Sequence, residues 1–382
     1  MKNLLQLLIL LFFIQHHLFG QNQGVALTGQ PLTNMYLYNP AYAGAENFTN
    51  LQAGYRKYWT GIQNSPNSFF LSGHSAYVQQ QPVELEKEEF SLSNEELAGN
   101  ALPVRSRSAT KYIRNRKAVV DSASRAQAKN EREFNNKVKM QKYKFARRPF
   151  HGFGFVINNE QTGFTARTGF YASYARHIYV DKNTRLSLGV SGGLFQTRID
   201  ANYSDIYFRD ANDPAITGIS NIIRPDLNVG LLLYNKNYFA GLSAYSLLPT
   251  SSELVKYPGD PSPNLPPVIL GQTGYKFEIN DASSFIPFIT ARYSTGFPLY
   301  ADLGARVNYN MFWIGAVYRS VGAASAMAGF AINKMFDLSY SYDYTFSAVN
   351  GRSANGHEII LGYRLPRKGG NNNSRFFDNE PK

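Results

Sequence analysis

The 382-residue chain contains no cysteine. Disulfides, a thiol nucleophile and any cysteine-ligated metal site are thereby excluded. Past the N-terminus it has no apolar run near the ~20 residues a helix needs to span a bilayer, which excludes insertion by helices. Histidine is sparse: His74, His151, His177 and His357 are scattered and form no metalloprotease helix motif. Gly189-Val-Ser-Gly-Gly193 has the spacing of a nucleophile elbow but lies in a strongly alternating stretch, whereas the elbow needs a strand-to-helix turn. Gly271-Gln-Thr-Gly274 lacks the serine. No catalytic, cofactor or metal constellation emerges, and the chain reads as a non-enzyme with no evident small-molecule substrate.

The first 20 residues have the layout of a cleaved secretory signal peptide. Met1-Lys2 is a short positive start, Leu4 to Ile14 is apolar except for Gln6, and Gly20 is a small residue before Gln21. The remainder is rich in Tyr (26), Phe (27) and Gly (31), with a modest charged fraction of 17%. An exported chain of this composition fits a barrel whose lipid-facing residues alternate with polar lumen residues.

Periodicity carries the fold. In Phe336 to Phe346 one face reads Phe336, Leu338, Tyr340, Tyr342, Tyr344, Phe346, and the other Asp337, Ser339, Ser341, Asp343, Thr345. Leu299 to Tyr309 alternates in the same way. Fourteen strands are expected, at 48–58, 68–78, 150–158, 165–180, 185–199, 226–235, 238–246, 267–280, 284–294, 298–310, 311–319, 324–333, 336–347 and 356–364. Joints such as Asp181-Lys-Asn-Thr184, Asn235-Lys-Asn237 and Asn308-Tyr-Asn310 are tight and turn-like. They alternate with long joints, Asp200 to Pro225, Leu247 to Pro266 and Ala348 to Asn355. Outer-membrane barrels sort short periplasmic turns from long extracellular loops in this way. The expectation is an all-β, antiparallel up-and-down transmembrane barrel over 47–366, seated in outer-membrane lipid. A periplasmic N-terminal segment (21–46) precedes it and a polar tail (367–382) follows. His357-Glu358 is read as a hydrogen-bonded pair in the lumen.

Residues 79–149 interrupt the pattern between strands 2 and 3. The segment starts acidic, and then Arg105 to Arg148 holds fifteen basic and three acidic residues, an excess equal to the whole chain's net charge of +12. It has few large apolar residues and cannot bury enough surface to fold alone, although 122–140 favours helix by composition. A solvated insert and a periplasmic docking arm built on Arg114, Arg116, Lys117, Lys137 and Lys139 are both open readings. Export argues against nucleic acid as a partner.

Ordered motifs flank the insert. Tyr38-Asn-Pro-Ala-Tyr-Ala-Gly44 is followed by Tyr55-Arg-Lys-Tyr-Trp-Thr-Gly-Ile62, Pro66 and Ser72-Gly-His74, and later by Gly241-Leu-Ser-Ala244 and Gly356-His-Glu-Ile-Ile-Leu-Gly-Tyr-Arg364. Over about 34–78 and 150–365 this order resembles the PorP/SprF family of Bacteroidetes outer-membrane proteins. The resemblance implies a barrel that assists type IX secretion or surface attachment of a large protein, often a gliding adhesin, by scaffolding it against components of the secretion apparatus. Asn39, Pro40, Arg56 and Trp59 then become candidate partner contacts. Read physically, Asn39-Pro40 starts a turn before strand 1, Gly44 takes a positive φ, and Trp59 with Tyr55 and Tyr58 suits an interfacial aromatic girdle. The alternative function is a passive porin, which requires an open polar lumen.

Overall fold

The computed structural model describes residues 28–46, 48–60, 65–77, 149–163, 165–181, 183–199, 222–248, 266–320, 322–333, 335–346 and 355–365, with Arg125, Lys129, Arg132 and Asn136. The expected signal peptide and tail, and Arg114, Arg116, Lys117, Lys137 and Lys139, lie outside them. The chain divides into two compact units, 1–78 with 149–382, and 79–148. In the second, the four described residues are helical and exposed, within the stretch whose composition favours helix.

The first unit is a closed antiparallel barrel. Its strands are β1 (Thr49–Lys57), β2 (Asn67–Tyr77), β3 (Phe150–Thr162), β4 (Thr165–Tyr179), β5 (Arg185–Ile199), β6 (Ile222–Tyr234), β7 (Tyr238–Tyr245), β8 (Val268–Tyr275), β9 (Phe277–Asn280), β10 (Ser283–Ser294), β11 (Tyr300–Tyr309), β12 (Phe312–Arg319), β13 (Ala323–Ala331), β14 (Phe336–Thr345) and β15 (Gly356–Leu365). Each pairs with its sequence neighbours, except that β8 and β9 do not pair with each other, and β1 closes the ring on β15 in the register Thr49↔Leu365 to Lys57↔His357. β8 and β9 both pair with β10 and act as one barrel strand, so the ring counts fourteen.

Two prolines explain the local departures. β10 pairs with β8 from Phe288 onward and with β9 up to Phe285, leaving Ile286 and Pro287 unpaired on that side where the neighbour is interrupted around Lys276. Proline has no N–H to give a ladder, so its site is where the neighbour breaks. Pro225, expected to end a loop, instead lies inside β6, which starts at Ile222 rather than 226. β7 pairs with β6 only from Val229 to Tyr234, so at Pro225 the strand has β5 alone as neighbour and no missing donor on the other side. β3 also outruns its expected end and reaches Thr162, because polar residues that look like loop pair across to β4. Asn159 donates to Thr168 Oγ1 at 2.7 Å.

The alternation is inverted relative to a soluble protein. Along β14, Asp337, Ser339, Ser341 and Asp343 are buried, whereas Phe336, Tyr340 and Tyr344 are exposed. Arg306 and Asn308 of β11 likewise point inward, with Leu303, Val307 and Tyr309 outward. A ring that hides its polar face and shows its apolar face is built for lipid. His357 and Glu358 obey the same rule and are not a pair. Glu358 faces the lumen, and His357 faces out beside the Tyr340 hydroxyl at 2.6 Å.

Lipid exposure has a direct test. Ile359, mid-strand in β15, is half exposed on the outer face. Ile359→Arg is expected to destabilise the barrel in bilayers by about 2–4 kcal/mol, read from the urea midpoint of folding into vesicles. An exposed position on a water-soluble protein would tolerate the change.

Candidate functional site

The segment expected in the periplasm, residues 21–46, is placed differently where it is described. Residues 28–45 run inside the ring and nearly all are buried. The correction has a physical reason: several lumen-facing positions are apolar and need a cover. Leu232, Tyr234, Phe239, Phe288, Trp313, Val317 and Met327 point inward and pack with Met35, Tyr36, Ala41, Tyr42, Ala43 and Ala45 in one core cluster. An open aqueous pore would have no use for that face.

The Asn-Pro-Ala motif is the centre of this plug. Asn39 caps a short 3-10 turn (Pro40–Tyr42), its Oδ1 accepting from Ala41 N at 2.9 Å, and Pro40 occupies the first helical position, where no N–H is needed. Asn39 Nδ2 donates to the carbonyls of Leu231 and Leu242, on adjacent strands β6 and β7, at 2.9 and 3.2 Å. The plug carbonyls are in turn met by wall side chains. Ser187 donates to Ala41 O at 2.8 Å, Ser243 to Tyr38 O at 2.6 Å and Tyr245 to Leu37 O at 2.9 Å. His177 Nε2 donates to Ala43 O at 2.8 Å, and its Nδ1 is hydrogen-bonded to the Tyr234 hydroxyl at 2.8 Å. A buried backbone segment without strand partners needs each of these bonds. Wall glycines let it approach: a Cβ at Gly152 or Gly230 would overlap the Ala43 carbonyl or the Asn39 amide. Gly44 has φ +74°, as the motif suggests.

The two ends of the plug are held by charge. At the long-loop end, Glu358 accepts from Gly29 N at 2.8 Å, and Arg319 donates to Gly29 O at 3.1 Å. Arg56 pairs with Asp343, which also accepts from Ser325 and lies 3.4 Å from Arg319. At the short-turn end, His74 Nδ1 accepts from Gly44 N at 3.2 Å, and its Nε2 lies 3.7 Å from Glu46. Burial pushes the Glu46 carboxyl up to about 7, against the pull of the Asn50 hydrogen bond. About a quarter of its side chain is exposed.

Of the residues singled out in the sequence, Asn39 and Pro40 are in the plug and Arg56 is in the cluster that holds the plug's start. Trp59 is separate, half-buried just past β1 with φ +50°. The girdle expected of Tyr55, Tyr58 and Trp59 is divided: Tyr55 faces out, and the Tyr58 ring lies 4.2 Å from the Arg56 guanidinium. His177, Ser187, Ser243, Arg319 and Glu358 were not singled out as plug contacts. Ser191, at the centre of the elbow-like run, sits mid-strand in β5, paired to β4 and β6.

Asn39→Ala is expected to cost about 1–3 kcal/mol, because two strand carbonyls and one turn N–H lose their partner in a dry site. Asn39→Asp should cost more, since a carboxylate cannot donate to either carbonyl. The shift in the urea midpoint measures both.

The profile of a family described as type IX secretion system membrane protein PorP/SprF matches residues 20–82 and 119–363. Similar solved structures include the Pseudomonas putida toluene transporter TodX, at 9% identity over 92% of this chain and 96% of that one, with a TM-score of 0.42. The CymD monoaromatic hydrocarbon channel is similar at 10% identity over 92% and 96%, with a TM-score of 0.46. The Acinetobacter baumannii outer membrane protein Omp33 is similar at 8% identity over 84% and 100%, with a TM-score of 0.39. No curated protein is significantly similar to the chain.

Proposed function

Because the chain belongs to the PorP/SprF family of type IX secretion system membrane proteins, we propose that this outer-membrane barrel works as an occluded scaffold. It holds a large secreted protein at the outer membrane, for export or surface attachment, and does not conduct solutes. The observation that carries this reading is the lumen filled by the chain's own residues 28–45, bonded to strands from β2 round to β15. A barrel built to pass solutes would leave that polar lumen open; a barrel built to hold a partner gains rigidity from filling it. In the same reading the basic residues Arg114, Arg116, Lys117, Lys137 and Lys139 form a docking arm toward secretion components or an anionic surface on the periplasmic side. Asn39, Pro40 and Arg56 support a partner indirectly, by fixing the wall that it meets.

In-cell crosslinking and affinity purification, comparing the full chain with one lacking residues 79–149, tests this reading. Co-purification of secretion components with one large secreted protein is expected, and selective loss of the components on deletion would assign the arm. If neither chain retains a specific partner, the scaffold reading fails.

A further inference from the structure

We propose that a cavity at the short-turn end of the lumen binds a carboxylate group, with the Arg306 guanidinium as its anchor. The inference goes beyond the secretion role and does not depend on it. The cavity, about 70 Å³, lies between the plug and the wall, with Arg306, Trp313, Asp337, Arg364, His74 and Glu46 among its lining.

Arg306 is held for binding and makes no direct ion pair among the described residues, although Asp337 acts on it at longer range. The arginine is 6% exposed. Its Nε donates to Asn308 Oδ1 at 2.7 Å, and Asn308 Nδ2 donates to Ser284 at 2.9 Å, so the near end of the group is fixed. Its Cζ lies over the Trp313 ring, 4.0 Å from the ring centroid. The terminal nitrogens carry no hydrogen bond and no ion pair among the described residues. Of the acids nearby, Asp337 Oδ1 is 3.2 Å from Arg364 Nε without a hydrogen bond, and Glu46 accepts from Asn50 at 2.7 Å.

A guanidinium buried without a direct ion-pair partner is costly. Its planar fork of donors matches the two oxygens of a carboxylate. The contact with Trp313 and the bond to Asn308 restrain the group, which lowers the ordering cost of binding. Access is from the short-turn end, where Glu46, Phe48 and Arg364 are partly exposed. The carboxylate belongs either to a small free acid or to the C-terminus of a peptide.

The chain has two tryptophans, Trp59 and Trp313, so Trp59→Phe leaves a reporter in contact with the anchor. The full chain, refolded in detergent and verified by heat-modifiable gel mobility, is titrated with succinate and with a Gly-Gly-Ser peptide bearing a free or an amidated C-terminus. A saturable change in Trp313 emission is expected with at least one free carboxylate and not with the amide or with matched sodium chloride. Response to succinate but not the free peptide assigns a small acid; response to the free peptide but not its amide assigns a chain terminus. Arg306→Gln is expected to weaken binding about tenfold or more. Arg306→Lys, which keeps the charge and loses the fork, should weaken it less and serves if the glutamine variant does not fold. A flat response to both free carboxylates, or unchanged affinity in a folded Arg306 variant, overturns the proposal.

Discussion

Arg56→Met is expected to destabilise the barrel by about 3–5 kcal/mol, the usual cost of removing one member of a buried ion pair. Arg56 is 5% exposed and pairs with Asp343, with Glu358 close by. Without it, Asp343 keeps only Arg319, which also holds the Gly29 carbonyl, and buried Glu358 loses the attraction of Arg56. The loss therefore reaches the plug as well as the wall. The double change Arg56→Met with Asp343→Leu should recover much of the stability, because removing both charges also removes the desolvation penalty. Urea midpoints for the single and double variants measure the difference. Equal destabilisation in both would mean that packing of the arginine stem, and not charge, is what the cluster contributes.

Gly152→Val should displace the plug. A Cβ at this position overlaps the carbonyl carbon and oxygen of Ala43, and both partners are backbone that cannot rotate away. The expected cost is at least the ~1–3 kcal/mol of an overpacked core, and the easiest relief is for residues 28–45 to leave the lumen. Because the chain has no cysteine, a single Ala41→Cys reports the event cleanly. Ala41 is fully buried, so a cysteine in its place should resist a membrane-impermeant maleimide in the parent chain. Thr60→Cys, exposed at the long-loop end, should label readily in the same assay. In the Gly152→Val background the Ala41→Cys thiol should label to a similar extent as the Thr60→Cys thiol. Continued protection in a correctly folded variant would show that the wall gives way instead of the plug.

How the sequence revealed the ring and hid its contents follows from the range of the interactions. Strand periodicity is local, so Phe336 to Phe346 and Leu299 to Tyr309 disclosed their two faces, and Asn-rich joints disclosed the turns. Asn310, for example, takes φ +48° as such a turn demands. The plug is made by contacts of long sequence separation, such as Ser187 to Ala41 and Tyr245 to Leu37. Locally, Asn39-Pro40 looks like any turn before a strand. One signal was legible: Leu231-Leu-Leu-Tyr234 is apolar on both faces, which a water-filled lumen would not favour. Trp313 and Phe288 add to it, since both point inward from strands with apolar outer faces. The proline at 225 misled in the ordinary way, because its tolerance depends on where a neighbouring strand stops. The period of two, applied to His357-Glu358, would have separated that pair without any structure.

The central claim is that the lumen is filled by the chain itself. Planar-bilayer recording on the purified intact chain tests it most directly, alongside a variant lacking residues 29–45 whose barrel is verified by heat-modifiable mobility. The account predicts no stable conductance steps from the intact chain and clear steps from the truncated one. Steady ohmic conductance from the intact chain would contradict it and restore the porin reading.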